Sequence, residues 1–78
     1  KLKFTFQEQR DYETIEAEIA SLEEKAERLE AETASAATDF VKLNQLTKEK
    51  EEVEALLEQK MERWMYLEDL AARIEAEN

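Results

Sequence analysis

Residues 32–39 read Glu32-Thr33-Ala34-Ser35-Ala36-Ala37-Thr38-Asp39, without one large apolar side chain. The chain on either side is patterned as an amphipathic helix, so this stretch decides between one long helix and two. Ala is the best helix former, and nothing here forbids a helix outright. Thr, Ser and Asp, however, bond to nearby backbone and compete with helix continuation. Thr38 or Asp39 is placed to cap a new helix, after which Phe40, Leu43 and Leu46 restart an apolar face. The phase breaks as well. Continued in step from Thr33, the upstream seam would fall on Ala36, Phe40, Leu43, Thr47, Lys50 and Glu54, whereas the downstream seam uses Leu46 and Val53. A turn over 33–38 is therefore predicted, between a helix over 6–32 and a helix over 39–77.

Upstream, the seam is Tyr12, Ile15, Ile19, Leu22, Ala26, Leu29 and Thr33, in alternating steps of three and four. Such steps keep one stripe on one side of a helix. Thr5-Phe6-Gln7-Glu8 fits a capping box that starts this helix. Before it, Lys1-Leu2-Lys3-Phe4-Thr5 alternates polar and apolar, as a short extended arm does. Downstream, the stripe runs through Leu46, Lys50, Val53, Leu57, Lys60, Trp64, Leu67, Ala71 and Ile74. Neither stripe can stay in water alone. The predicted fold is all-α, one domain over 1–78: a two-helix antiparallel coiled-coil hairpin with an extended arm over 1–5. A turn at 33–38 pairs residues whose numbers sum to roughly 72. Leu29 then meets Leu43, Leu22 lies near Lys50 and Val53, Ile15 meets Leu57, and Tyr12 meets Lys60. Leu2 and Phe4 are left to cover Trp64 and Leu67. For Lys50 and Lys60 two readings stand: stems that pack while their ammonium groups reach flanking glutamates, or buried polar positions that fix register.

The composition agrees with long helices. The 78 residues include no Gly, Pro, Cys or His, and 41% are charged. Catalytic and ligand motifs fall away by residue type. P-loops, dinucleotide-binding turns and EF-hand loops need glycine. Zinc sites, Glu-x-x-His di-iron sites and Ser-His-Asp triads need Cys or His. Acidic pairs such as Glu23 with Glu27 and Glu54 with Glu58 read as solvated faces, because a hairpin offers no cleft to shift a carboxyl pKa. No catalytic, cofactor-binding or metal-binding residue is expected, and no small-molecule ligand. No apolar run approaches 18 residues and no leader pattern opens the chain, so neither a membrane span nor a signal peptide is expected.

The net charge is −10, which as a whole repels nucleic acid and anionic lipid. Phosphate contact must then be local. Lys1, Lys3, Arg10, Lys60 and Arg63 gather toward the open end of the hairpin, and Lys42, Lys48 and Lys50 lie nearer its tip. The plainer reading of these cations is charge balance against the many glutamates. Trp64, Tyr66 and Phe6 can stack on bases, although Trp64 lies on the seam, where packing is its first role.

The opening Lys1-Leu2-Lys3-Phe4-Thr5-Phe6-Gln7-Glu8-Gln9-Arg10-Asp11-Tyr12-Glu13 resembles the start of the C-terminal domain of ABC-F ATP-binding proteins. Asp39-Phe40-Val41-Lys42-Leu43 and Met61-Glu62-Arg63-Trp64-Met65-Tyr66-Leu67 are similar to later segments of that domain. The resemblance covers nearly the whole chain. It departs from many members at Thr14 and Ile15, where they carry a Pro early in the first helix. The resemblance implies a noncatalytic coiled-coil hairpin on a cytoplasmic protein whose ATP and Mg are bound elsewhere on the parent chain. It implies partners in the rest of that chain and in the ribosome or nucleic acid. Three functions follow as expectations: an accessory domain near ribosomal RNA or protein, a DNA-binding coiled-coil module, or a plain oligomerising coiled coil. The acidity argues for little DNA binding at physiological salt.

Overall fold

Thr5 starts the first helix as a reciprocal cap. In the computed structural model, which describes residues 1–78, the Glu8 N–H donates to Thr5 Oγ1 at 3.2 Å and the Thr5 N–H donates to Glu8 Oε1 at 2.8 Å. Both groups would otherwise lack partners at a helix start. From this cap α1 runs Phe6–Ser35, and α2 runs Phe40–Glu77. Asp39 caps α2, its carboxylate accepting from the Lys42 N–H at 3.1 Å. The two helices lie antiparallel as an all-α hairpin of 59 × 15 × 14 Å, and residues 1–5 form a short extended arm.

The first helix runs three residues beyond the predicted 32, and the reversal falls on residues 36–39 rather than 33–38. Thr33 does not break the helix because its hydroxyl donates back to the Leu29 carbonyl at 2.7 Å, inside the helix it was expected to end. The Ala36 N–H is then shared between the carbonyls of Glu32 and Thr33, and the Asp39 N–H reaches the Ala36 carbonyl at 2.9 Å. No residue in the chain adopts a positive φ. The reversal is therefore built without the left-handed position that usually calls for glycine.

A later reversal moves the register. Lys25 pairs with Glu49, Arg63 with Asp11 and Tyr66 with Glu8, pairs whose numbers each sum to 74. Lys60 with Glu18 sums to 78. The expected value of 72 is thus too low. Leu29 shares a buried cluster with Leu46, Val53 and Ala36, and Leu22 and Ala26 pack against it. Ala36, at the head of the turn, is small enough to let the helices close over it.

Ile15, Leu29, Leu46, Val53, Leu67 and Leu70 are the buried large side chains, and Ile15 and Leu67 are sealed almost completely. Tyr12, Ile19, Leu22, Leu43, Leu57 and Trp64 are half-buried. Two apolar positions differ from expectation. Phe40 is 73% exposed instead of restarting the core, because it stands at the first position of α2 while α1 has already ended at Ser35. Leu70, one position off the seam, is buried. The arm also lies further along α2 than Trp64. The Leu2 N–H donates to Glu77 Oε1 at 3.3 Å, and the Phe4 ring packs on Tyr12 at 5.0 Å between centroids. Trp64 instead borders a groove with Glu16, Ile19, Ala20 and Glu23 of α1. Helix α1 reaches far enough to flank Trp64, which leaves the arm to the last turns of α2.

Candidate functional site

The basic residues divide once they are placed. Lys60 Nζ lies 3.0 Å from Glu18 Oε2 across the helix pair. Its stem is half-buried and its ammonium group reaches a flanking glutamate, the packing-and-reaching arrangement. Arg63 is held more firmly. Its Nη2 and Nε lie 3.1 and 3.2 Å from Asp11 Oδ2, and its guanidinium sits 5.2 Å from the centre of the Tyr66 ring. Tyr66 in turn donates its hydroxyl to Glu8 Oε2 at 2.6 Å. Glu8 therefore serves twice, one oxygen closing the cap at Thr5 and the other receiving Tyr66 from the opposite helix.

These contacts leave a mark on the titrating groups. The Thr5 backbone N–H, the Tyr66 hydroxyl and the nearby Arg63 charge hold the Glu8 carboxyl below its ordinary value. The Gln7 side-chain amide, 2.8 Å away, and then Arg63 do the same for Asp11. The Glu8 carboxylate raises Tyr66, since an ionised phenol beside it would face a like charge and lose its hydrogen bond. On the other side of the hairpin, the Glu68 carboxylate and burial raise Tyr12.

Lys60 and Arg63 thus have partners inside the hairpin. Lys1, Lys3, Arg10, Lys42 and Lys48 have no carboxylate within ion-pair distance and are exposed. Lys50, half-buried on the seam, makes no ion pair either. Arg28, in the middle of α1, is likewise exposed and unpaired, and the other exposed free cations fall into two groups. Lys1, Lys3 and Arg10 lie at the open end, where Arg10 also covers the exposed Phe6 ring at 5.7 Å. Lys42 and Lys48 lie on the first turns of α2, beside exposed Phe40 and Val41. Between residues 33 and 48 the only acid is Asp39, and its carboxylate is turned to the cap of α2. The tip, like the arm over residues 1–7, is poor in acids on an otherwise acidic rod. No three carboxylates gather closely enough to hold a metal ion.

The flanks of the hairpin also differ, and of their contacts only the reach of Lys60 to a flanking glutamate was among the readings of the sequence. One flank carries the cross-helix ion pairs Lys25–Glu49, Lys60–Glu18 and Arg63–Asp11. The other carries an apolar groove where Ile19, Ala20 and Trp64 meet Met61, and Met61 joins it to a second shallow depression on α2 alone, lined by Leu57 and Met65. Acids alone edge this groove: Glu16 and Glu23 on α1, Glu54, Glu58 and Glu62 on α2. The residues carrying the flanks stand seven apart, as Asp11, Glu18 and Lys25 do, so a heptad reading was able to find them once the register was known.

No helix is long and apolar enough to cross a membrane. The ABC transporter C-terminal domain family matches the chain over residues 3–69, from the arm well into α2. The chain is 38% identical over 74 residues to the ABC transporter ATP-binding protein YfmR of Bacillus subtilis (strain 168). That alignment takes in 95% of this chain and 12% of YfmR, so the chain spans a small part of the relative's length. No solved structure matches it. The family match covers the cap, α1, the turn and α2 as far as Asp69, and the chain belongs to the ABC transporter C-terminal domain family.

Proposed function

We propose that the domain is an interaction arm of a cytoplasmic ABC-F ATPase and that its tip contacts ribosomal RNA. ATP and Mg act elsewhere on the parent chain, and the hairpin contributes reach and a contact surface. One observation carries this reading: exposed Phe40 and Val41 stand beside Lys42 and Lys48 in a stretch, residues 33–48, whose only acid is Asp39. An aromatic face stacks on an unpaired base, and lysines meet the adjoining phosphates. The plain oligomerising coiled coil is less well supported, because the seam of each helix is already covered within one chain. The duplex-DNA module is opposed by the net charge of −10.

Cosedimentation with ribosomes tests the proposal, on the full-length protein and on the 78-residue chain. The double substitution Lys42→Glu with Lys48→Glu is expected to weaken association at least tenfold, and Phe40→Ala to weaken it less. Lys1→Glu with Lys3→Glu is expected to have the smaller effect. Unchanged association in the tip variant overturns the tip as the contact. Micromolar or tighter affinity for duplex DNA at ~0.15 M salt, the physiological ionic strength, moves the assignment to the DNA-binding module.

A further inference from the structure

At the groove between Ile19, Ala20, Trp64 and Met61 the seam is only half-covered and stays open to solvent. Met61 and Met65 remain 43% and 59% exposed on it, although each could have been a glutamate like its neighbours. Exposed methionines in a row adapt their shape to an apolar partner. The spacing of Leu57, Met61, Trp64 and Met65 follows one helical stripe in steps of four, three and one. Across the stripe lie Ile19 and Ala20 of α1, so the floor is a shallow trough between two helices. Its edges are acids on both sides, Glu16 and Glu23 on one and Glu54, Glu58 and Glu62 on the other. No Lys or Arg borders it; the ion-paired cations lie on the opposite flank.

We infer that this flank docks a basic amphipathic helix of a partner protein. The trough would take its apolar stripe at positions i, i+3 or i+4, and i+7, and the acidic edges would meet Lys or Arg on both sides of that stripe. Charge selects the occupant. A second copy of this chain would bring a net charge of −10 and the same glutamate edges against themselves. Nucleic acid and anionic lipid are repelled by the same edges. A neutral apolar helix would leave the glutamates without partners. This surface is independent of the tip, so its failure or success has no bearing on ribosomal contact there.

The test uses an 18-residue peptide of Leu and Lys in helical alternation, a scramble of the same composition without an apolar stripe, and a Leu–Glu version. Binding to the 78-residue chain is read by titration calorimetry and by Trp64 emission, since Trp64 is the only tryptophan. The Leu–Lys helix is expected to bind with micromolar affinity and to change Trp64 emission, and the scramble and the Leu–Glu version to bind at least tenfold more weakly. Met61→Lys with Met65→Lys is expected to cost tenfold or more. Leu56→Lys, an exposed leucine on the ion-paired flank, is expected to leave binding within twofold and controls for the added charge. Both variants keep their helix content, because all three side chains face solvent; a variant that loses circular dichroism at 222 nm is replaced by Glu58→Gln with Glu62→Gln, which is expected to weaken binding threefold or more. Equal binding of helix and scramble, equal loss in the Met and Leu56 variants, or a sedimentation mass of a dimer without peptide each overturns the inference.

Discussion

The two ends of the hairpin are held together by different means. At the loop end, Leu29, Ala36, Leu46 and Val53 form one apolar cluster, with a single exposed ion pair, Lys25–Glu49, nearby. At the open end, Ile15, Leu67 and Leu70 are buried, and around them run the Phe4–Tyr12 pair, the Leu2–Glu77 bond, Lys60–Glu18, Arg63–Asp11 and Tyr66–Glu8. The loop end is closed by the chain itself, so apolar packing suffices there. The open end has no covalent closure and frays first, as helix termini do. Directional contacts there also define register. A slip of one heptad would still bring apolar residues together, but it would part Arg63 from Asp11 and Tyr66 from Glu8.

The widest test of the contrast is a pair of core truncations. Leu46→Ala and Leu67→Ala are each expected to cost about 2–5 kcal/mol, the range for a buried leucine with a residual cavity. Their hydrogen-exchange patterns should differ. Leu67→Ala is expected to free amides of the open end while residues near Leu29 and Leu46 stay protected, whereas Leu46→Ala is expected to free the whole hairpin. Identical patterns would mean that the two ends unfold as one unit.

Removal of residues 1–4 comes next. Leu2 and Phe4 are half-buried, and losing both is expected to cost about 2 kcal/mol by area burial. Thermal melting measures it. Trp64 emission in the folded state should stay put, because α1 and not the arm lies beside that ring. A red shift on deletion would place the arm over Trp64 after all.

Thr5→Ala removes one half of the capping box and is expected to cost about 1 kcal/mol. Chemical denaturation reads it. The Glu8 N–H loses its acceptor while the Glu8 carboxylate keeps its bond from the residue-5 N–H, so a looser first turn should weaken the Tyr66–Glu8 contact, and protection should fall around Tyr66 but not around Leu46. An even loss along both helices would show that the cap and the cross-helix contact are not linked.

Acid is the gentlest probe. The folded protein holds Glu8 and Asp11 below their ordinary values of 4.5 and 3.8. A depressed carboxyl stabilises the fold fully above its unfolded value and loses that contribution as pH falls through the lower folded value. Protection at the open end should therefore decline below about pH 4.5 relative to the loop end, and Asp11→Asn should shrink the difference. At the other extreme, raised Tyr66 contributes below about pH 10 and is lost as pH rises through its higher folded value.

Much of this was legible before any coordinates. The three-and-four spacing located both helices, Thr5 and Glu8 announced the first cap, and the second was narrowed to Thr38 or Asp39, of which Asp39 caps α2. The register was not legible to better than about three residues, because it depends on where α1 stops. Thr33 decided that by bonding back to Leu29, a choice its hydroxyl makes only within an existing helix. Leu70 was missed for a related reason. The stripe was carried from Leu67 to Ala71, yet Leu70 stands three residues after Leu67 and four before Ile74, so the same spacing admits either position and only the packing decides. Of the cations named as phosphate contacts, Lys60 and Arg63 turned inward because Glu18 and Asp11 stand opposite them. For Lys60 a flanking glutamate was one of the two readings of the sequence, whereas the Arg63–Asp11 pairing becomes readable only after the register is known.

The bond between Leu2 and Glu77 brings the two termini of the chain together at one end of a 59 Å rod. Pulled by those termini, the helices would part like a zipper, one turn after another, and never slide in shear. Each step would break only the contacts of that turn, so the hairpin is mechanically soft along its own closure. Bending is another matter, since the rod resists it along its whole length. Held at its base, the hairpin would act as a pointer, carrying a small rotation of the base to a much larger sweep of Phe40 and Val41 at the far end.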